Sequence, residues 1–329
     1  MKKKNIAVIA GGYSEEYIVS LNSGKTICEH LDKTKYNVFF ILIFKEKWVY
    51  VDENQNEYPI DKNDFSATLN NKKTTFDCAL ITIHGSPGED GKLQGYFDML
   101  DIPYTTAALL PSALTFNKHF CNLLVSQLGV NTARSAKYHI SEKPDTATIL
   151  ENINLPAFVK PNCGGSSLGT TFVSSDDDLM EAVKQAFKHD EEVFVEEYIN
   201  GRELTCGAFF HNEQVKVLPV TEIISKTSAK FFDYEAKYTK GAADEITPAR
   251  ISDELTDKIQ ELTAYLYLNL DLKGIVRFDF ICTEDDIFFL ETNITPGITE
   301  TSLVPQQAEM VNINICDLYT IAIEEALGS

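Results

Sequence analysis

The chain has few of the features that mark membrane, secreted or nucleic-acid-binding proteins. Its longest apolar runs, such as residues 38–44, are far too short to cross a bilayer. The basic start Met1-Lys2-Lys3-Lys4 precedes an apolar stretch, residues 6–10, shorter than a signal segment needs, and Gly11-Gly12 ends it. Cysteines number seven, an odd count with no C-x-x-C pair, which fits scattered reduced thiols better than a disulfide framework. Basic residues are scarce. Lys+Arg of 29 against Asp+Glu of 49 leaves a net charge of −20, a field that repels phosphate polymers and anionic membranes. A local basic pocket for a small anion stays compatible with that balance. Repeats and low-complexity stretches are also missing. Together these absences predict a cytoplasmic protein with no nucleic-acid and no membrane partner.

What is present is an ordinary globular composition, 329 residues with 44% hydrophobic and 24% charged. At about 150 residues per domain, that length predicts roughly two domains. The first third alternates strand and helix: strands over 5–10, 37–44, 48–51 and 77–82, and helices ending near Leu31 and over 92–100. Such alternation favours an open parallel sheet with ligand loops at the strand C-terminal ends. A helix is expected over 111–128, then strands over 157–161 and 171–174 flanking a Gly/Ser loop, and a helix capped by Ser175. Strands follow over 192–199, 204–210 and 215–224. Residues 225–248 lose all periodicity, the mark of a lid or binding loop. A helix over 252–270, strands over 274–282 and 287–293, and a terminal helix complete the chain.

The last strand pair is the most informative local feature. In a strand, Arg277 and Asp279 share one face, and so do Glu291 and Asn293. A three-residue turn around Asp285 would set Asp279 opposite Glu291 and Arg277 opposite Asn293. Opposed carboxylates repel each other. A divalent cation converts that repulsion into a site, and an Asp/Glu/Asn oxygen set suits Mg²⁺. A merely solvated charged face accounts for the pair equally well.

The loop after Lys160-Pro161 reads Asn162-Cys163-Gly164-Gly165-Ser166-Ser167-Leu168-Gly169. Its glycines let backbone N–H groups converge on an anion, and Ser166 and Ser167 add hydroxyl donors. No Gly-Lys-Ser/Thr follows, so it is not a Walker A loop, and no dinucleotide fingerprint is present. Alone it reads as a hairpin tip. With Lys160 before it and a cation site downstream, phosphate binding is the better reading. Residues 11–16 and 84–91 sit where an open α/β sheet places ligands, Ser14 being a candidate helix cap, although each also reads as a plain turn.

Taken in order, GGYSEEYIVSLNSG, HGSPGEDGKLQG, TFNKHF, KPNCGGSSLG, EEYINGRE, FFDYEAKY, RFDF and ETNITPGITETSLVP resemble the D-alanine–D-alanine ligases of the ATP-grasp superfamily over nearly the whole chain. The resemblance implies an N-terminal open parallel α/β domain (1–104), then central (105–190) and C-terminal (191–329) α+β subdomains forming an ATP-grasp fold, with a lid over 225–248. It implies ATP-dependent joining of two D-alanines through a D-alanyl phosphate, giving D-alanyl-D-alanine, ADP and phosphate for peptidoglycan, by a cytoplasmic homodimer.

The same resemblance assigns roles. Lys118, Lys160 and Lys237 would reach the ATP phosphates under the loop bearing Ser167. Glu196, Glu197, Tyr198 and Ile199 would hold adenine, and Glu203 the ribose. Asp279, Glu291 and Asn293 would ligate two Mg²⁺ ions, for which Mn²⁺ can substitute, with Glu291 bridging. Glu16 would anchor the first ammonium in a triad with Ser166 and Tyr238, and His84 would line the substrate site. Arg277 and the Gly297 N–H would stabilise the oxyanion, while Ser302 and the Leu303 N–H would bind the second carboxylate. Tyr17 and Ile18 replace the family's basic and acidic pair, and Cys163 is unusual in its loop. The first departure is expected to alter packing near the first-substrate pocket and not activity. A thiol under a cluster of N–H groups could be acidified, but the expected reading of Cys163 is an inert small residue. Rival readings are a D-alanine–D-lactate or D-alanine–D-serine ligase, a nucleotide-binding protein without catalysis, and an NAD-dependent dehydrogenase. The intact Arg277/Asp279/Glu291/Asn293 set opposes the second of these, and the missing G-x-G-x-x-G the third.

Overall fold

The computed structural model describes residues 3–165, 167–226 and 243–328, and three sheets organise them. The first contains β1 (Lys4–Gly11), β2 (Tyr36–Ile43), β3 (Trp48–Val51), β4 (Glu57–Asp61), β5 (Ser66–Leu69), β6 (Lys72–Thr74) and β7 (Cys78–Ile81). Their order is β6-β5-β4-β3-β2-β1-β7. β1 runs parallel to β2 and β7, as strand–helix alternation predicts. From β3 to β6 the sheet is antiparallel, because turns join those strands and a parallel crossover needs many more residues. Asp52 closes one turn by accepting the N–H groups of Asn54 and Asn56 at 2.9 and 2.8 Å. Asn70 and Asn71, both at positive φ, close another. The expected open parallel sheet is thus a parallel core with an antiparallel extension.

The second sheet is fully antiparallel, with β9 (Ser135–His139), β10 (Ala157–Pro161), β11 (Thr171–Val173) and β12 (Glu192–Glu197) in the order β11-β10-β12-β9. The helix Asp176–Ala186 covers one face, burying Leu179, Val183 and Ala186 with Val159, Val173 and Val195. β12 follows residue 190 in sequence, yet it pairs here and not in the third sheet.

That third sheet holds β8 (Asn131–Thr132), β13 (Arg202–His211), β14 (Gln214–Val217), β15 (Thr221–Ser225), β16 (Ala243–Ile246), β17 (Val276–Cys282) and β18 (Ile287–Asn293). Its main path is β16-β15-β13-β17-β18-β8, with β14 on β13. β16 lies inside the expected loop, 225–248, and pairs with β15. Residues 227–242 of that loop, with Lys237 and Tyr238, lie outside the described residues, and so does Ser166.

Two predicted helices are each two. The 111–128 helix divides into Leu109–Phe116 and Lys118–Gln127, because Asn117 leaves helical geometry (φ −89°, ψ 104°) and accepts the Phe120 N–H at 3.0 Å. The terminal helix divides into Leu303–Glu309 and Ile315–Leu327, and Asn314 caps the second through the Asp317 N–H at 2.9 Å. This last helix buries Tyr319 and Ile323 against Ile6, Val8 and Leu80 of the first sheet. Its Leu318, Ile321 and Ala322 pack with Phe209, Leu218 and Val304 instead. One helix therefore holds the first sheet against the third. Among the described residues no helix is long and apolar enough to cross a membrane.

Candidate active site

In the β17–β18 ladder Asp279 faces Glu291 and Arg277 faces Asn293. The register arises differently from the expectation. Cys282 pairs with Ile287, so four residues, not three, form the turn, and Leu290 is an extra residue at a bulge beside Asp279. An uninterrupted ladder from that turn would slip Glu291 onto the opposite face. The bulge restores it.

Asp279 is buried and accepts two bonds from Arg277, at 2.8 and 2.7 Å, and one from the Thr205 hydroxyl at 2.5 Å. Burial opposes the Arg277 charge, but Asp279, then Glu291 and Glu203, hold the guanidinium protonated. The Asn293 Oδ1 accepts the Thr295 N–H at 3.2 Å. For Mg²⁺ the set offers two opposed carboxylates and one amide oxygen, all hard donors. No third His, Cys, Asp or Glu joins them among the described residues. Such a set fits an ion that takes its remaining ligands from phosphates and water.

The Gly/Ser loop is tied to the start of the helix Lys118–Gln127. The Lys118 and His119 N–H groups donate to the backbone and side-chain oxygens of Asn162, at 3.1 and 3.0 Å. The Lys118 Nζ reaches the Gly164 carbonyl at 2.6 Å. Burial, then Lys160 nearby, lowers the Lys118 pKa. Lys160 forms a buried ion pair with Glu196 at 2.5 Å. Gly165 lets the loop come close to Glu16, since a Cβ there would lie 2.8 Å from Glu16 Oε2 and displace that carboxylate. Burial pushes the Cys163 thiol up to about 11, which fits the inert reading.

Ser14 does not cap the first helix, Tyr17–His30; its hydroxyl donates to the His84 carbonyl at 3.0 Å and ties the two turns together. Glu16 stands at the N-cap position without a side-chain cap bond. Tyr17 packs edge-on against Phe44, with ring centroids 6.1 Å apart, and Ile18 is exposed, so the departure there changes packing at the rim. His84 is buried, and burial lowers its pKa against the opposing pull of Glu16. At the other end, Ser302 Oγ accepts the Thr299 N–H at 3.1 Å, and Leu303 opens a helix. A Cβ on Gly297 would meet that Ser302 Oγ at 2.9 Å, so glycine permits this tight turn.

Two cavities receive every described residue of the expected set. One of about 380 Å³ is lined by Glu16, His84, Arg277, Asp279, Asn293, Gly297, Ser302 and Leu303. The other, about 150 Å³, is lined by Lys160, Ser167, Glu196, Glu197, Tyr198 and Ile199, with Phe158 and Leu290. Lys118, Gly164, Gly165, Glu203 and Glu291 belong to both. In the smaller cavity the Glu197 and Tyr198 N–H groups already donate to the Arg134 and Pro156 carbonyls, each at 2.9 Å. Two carboxylates were missed. Glu245 lines the larger cavity from β16, where lost periodicity hid a strand. Glu89 lines it too, and its signal was its place in the Gly/Pro turn after β7.

The family model described as D-ala D-ala ligase N-terminus matches residues 5–107, and that described as D-ala D-ala ligase C-terminus matches 124–324. A D-alanine–D-alanine ligase of Flavobacterium johnsoniae is 48% identical over 99% of this chain and 100% of its own. One from Porphyromonas gingivalis is 46% identical over 100% of this chain and 99% of its own. Among solved structures, the VanG D-Ala:D-Ser ligase of Enterococcus faecalis is 32% identical, with TM-score 0.88 over 99% of this chain and 100% of that one. A Bacillus anthracis D-alanine–D-alanine ligase complexed with ATP is 29% identical, with TM-score 0.79 over 100% of this chain and 98% of that one. With a relative 48% identical from end to end and both family models matched, this chain belongs to the D-alanine–D-alanine ligase family.

Proposed function

We propose that this protein uses ATP to condense two D-alanines through a D-alanyl phosphate, releasing D-alanyl-D-alanine, ADP and phosphate for peptidoglycan synthesis. The observation that carries this reading is the meeting of two cavities at one cationic and acidic wall, Lys118, Gly164, Gly165, Glu203 and Glu291. ATP occupies the smaller cavity, with adenine against 196–199 and ribose on Glu203. Its phosphates reach the shared wall, near Lys118, Lys160 and Ser167, with Lys237 contributed by the lid. Asp279, Glu291 and Asn293 would hold two Mg²⁺ ions, or Mn²⁺ in their place, which would supply charge neutralisation for phosphoryl transfer.

D-Alanine in the larger cavity is held by Glu16 through its ammonium, with His84 beside it and Ser166 and Tyr238 completing the triad. Its carboxylate attacks the γ-phosphate, and positioning carries most of the rate. The second D-alanine, with its carboxylate on Ser302 and the Leu303 N–H, attacks the acyl carbon, while Arg277 and the Gly297 N–H stabilise the oxyanion. In this reading the protein works as a cytoplasmic homodimer of three-unit subunits. The first unit is 1–104, and β12 argues for moving the second boundary from 190 to the end of that strand.

A D-alanine–D-lactate or D-alanine–D-serine ligase is the second reading, since one structural neighbour is the VanG D-Ala:D-Ser ligase of Enterococcus faecalis. Identity of 42–48% to relatives named D-alanine–D-alanine ligase favours the dipeptide. Sequence supplies a further argument against D-lactate. D-lactate ligases resemble this chain with a histidine where Tyr238 stands, and tyrosine, titrating near pH 10, cannot repel the D-alanine ammonium electrostatically. Competition of D-alanine with D-lactate and D-serine, products separated by mass, tests this. D-Alanyl-D-alanine should dominate at pH 7, and a majority of either other product overturns the reading.

A further inference from the structure

The second D-alanine enters as an ammonium ion and must lose a proton before its nitrogen can attack. Glu89 is a carboxylate in the cavity assigned to that substrate. It is buried in the wall of the larger cavity, at the end of the His84–Glu89 turn. Its Oε2 accepts the Gly85 N–H at 2.6 Å, and its Oε1 accepts the Thr295 hydroxyl at 2.6 Å. On the Gly85 side lies Glu16, whose Oε2 is 3.8 Å from where a Gly85 Cβ would be. On the Thr295 side, two residues further on, lies Gly297, whose N–H is placed above at the oxyanion. The carboxylate is therefore bonded to the turn that approaches Glu16 on one side and to the segment that leads to Gly297 on the other.

We propose that Glu89 is the proton acceptor for the second D-alanine, an inference that rests on the ligase reading above. The ammonium gives one proton to the Glu89 carboxylate. The free amine forms the C–N bond as the acyl C–O bond breaks, and phosphate leaves with that electron pair. The nitrogen's surplus proton departs with the phosphate as HPO₄²⁻, and Glu89 returns its own to solvent after product release.

The surroundings suit the task. Burial, then the Glu16 charge, raises the Glu89 pKa to about 7, against the lowering effect of the Thr295 and Gly85 bonds. A base near working pH combines ready ionisation with useful proton affinity. The other charged or titratable groups lining the cavity are Glu16, His84, Lys118, Glu203, Glu245, Arg277, Asp279 and Glu291. His84 is the competing acceptor, because its buried Nε2 has no hydrogen-bond partner among the described residues. Its pKa is lowered by burial, which makes it the weaker base.

Hydroxylamine separates the steps, since it is already a neutral amine at pH 7 and traps an acyl phosphate as the hydroxamate. In Glu89→Gln, dipeptide formation should fall about 10²–10⁴-fold, while hydroxamate formation from ATP and D-alanine stays within about twofold. The limb of the kcat/KM profile near pH 7 should vanish with it. Thr295→Val keeps the base but removes a bond that lowers its pKa, so that limb should move to higher pH. Equal loss of both products in Glu89→Gln, or an unmoved limb in Thr295→Val, overturns the proposal. So does selective loss of dipeptide in His84→Gln but not in Glu89→Gln. Wild-type protein making neither product would overturn the ligase reading itself, a separate outcome.

Discussion

Individual side chains in this site are mostly held in pairs that sequence could name but not join. Lys160 and Glu196 were both expected near the nucleotide; their buried ion pair appears only when β10 and β12 align antiparallel. Neither charge is stable there alone, because an unpaired buried ion carries a heavy desolvation cost. A nucleotide phosphate would therefore share the lysine with Glu196. Glu291 is one of five residues that line both cavities. Replacing it with glutamine keeps the volume and removes the charge facing Asp279. ADP formation should fall roughly 10²–10³-fold, comparable to the loss of one key stabilising group in other enzymes. Circular dichroism and the unfolding midpoint should stay near wild type. Full activity in Glu291→Gln would sink the metal assignment.

At the scale of elements, alternation and apolar spacing made the parallel core, the second sheet's central strands and the final hairpin legible. The short pieces were not. β4, β5 and β6 are brief and half-exposed, so they lack the continuous apolar run of a buried strand. The Asn70-Asn71 turn was their available signal. The hairpin register at Asp279 and Glu291 was expected from the wrong turn length, and a bulge made the result hold. Bulges leave no mark in an apolar pattern, and that part of the site could not be read. The helix break at Asn117 has a consequence for function. It starts a helix at Lys118 and sets the lysine under Gly164. Asn117→Ala removes the bond to the Phe120 N–H and should cost about 1 kcal/mol of stability. It should also raise KM for ATP more than KM for D-alanine. Steady-state kinetics with each substrate varied in turn would check this, and equal changes in both would count against it.

Across the whole molecule, an acidic charge that argues against polyanion partners leaves room for a small-anion site, because the buried Lys160 and the half-buried Lys118 supply a local field that the surface does not. Composition thus spoke to the class of partner and not to the site. The residues that the resemblance named, where described, line two adjoining cavities, whereas the way the end of the chain packs on its beginning had no local signal. The helix Ile315–Leu327 is apolar on two sides because it serves two sheets, and a single-sheet helix needs only one apolar face. Ile323 lies on the side that meets the first sheet, fully buried with Ile6 and Val8. Ile323→Ala should cost about 3 kcal/mol through lost contacts and the cavity left behind. Leu266→Ala, fully buried in the core of the third sheet, should cost a similar amount. The two should differ in function. Loosening the strap between sheets separates Glu16, His84 and Glu89, which follow the first sheet's strands, from Arg277 and Ser302. Ile323→Ala should therefore raise KM for D-alanine several-fold at temperatures where both variants are fully folded, and Leu266→Ala should not. Equal KM values in the two variants would mean that the last helix contributes stability alone and does not set the geometry of the substrate cavity.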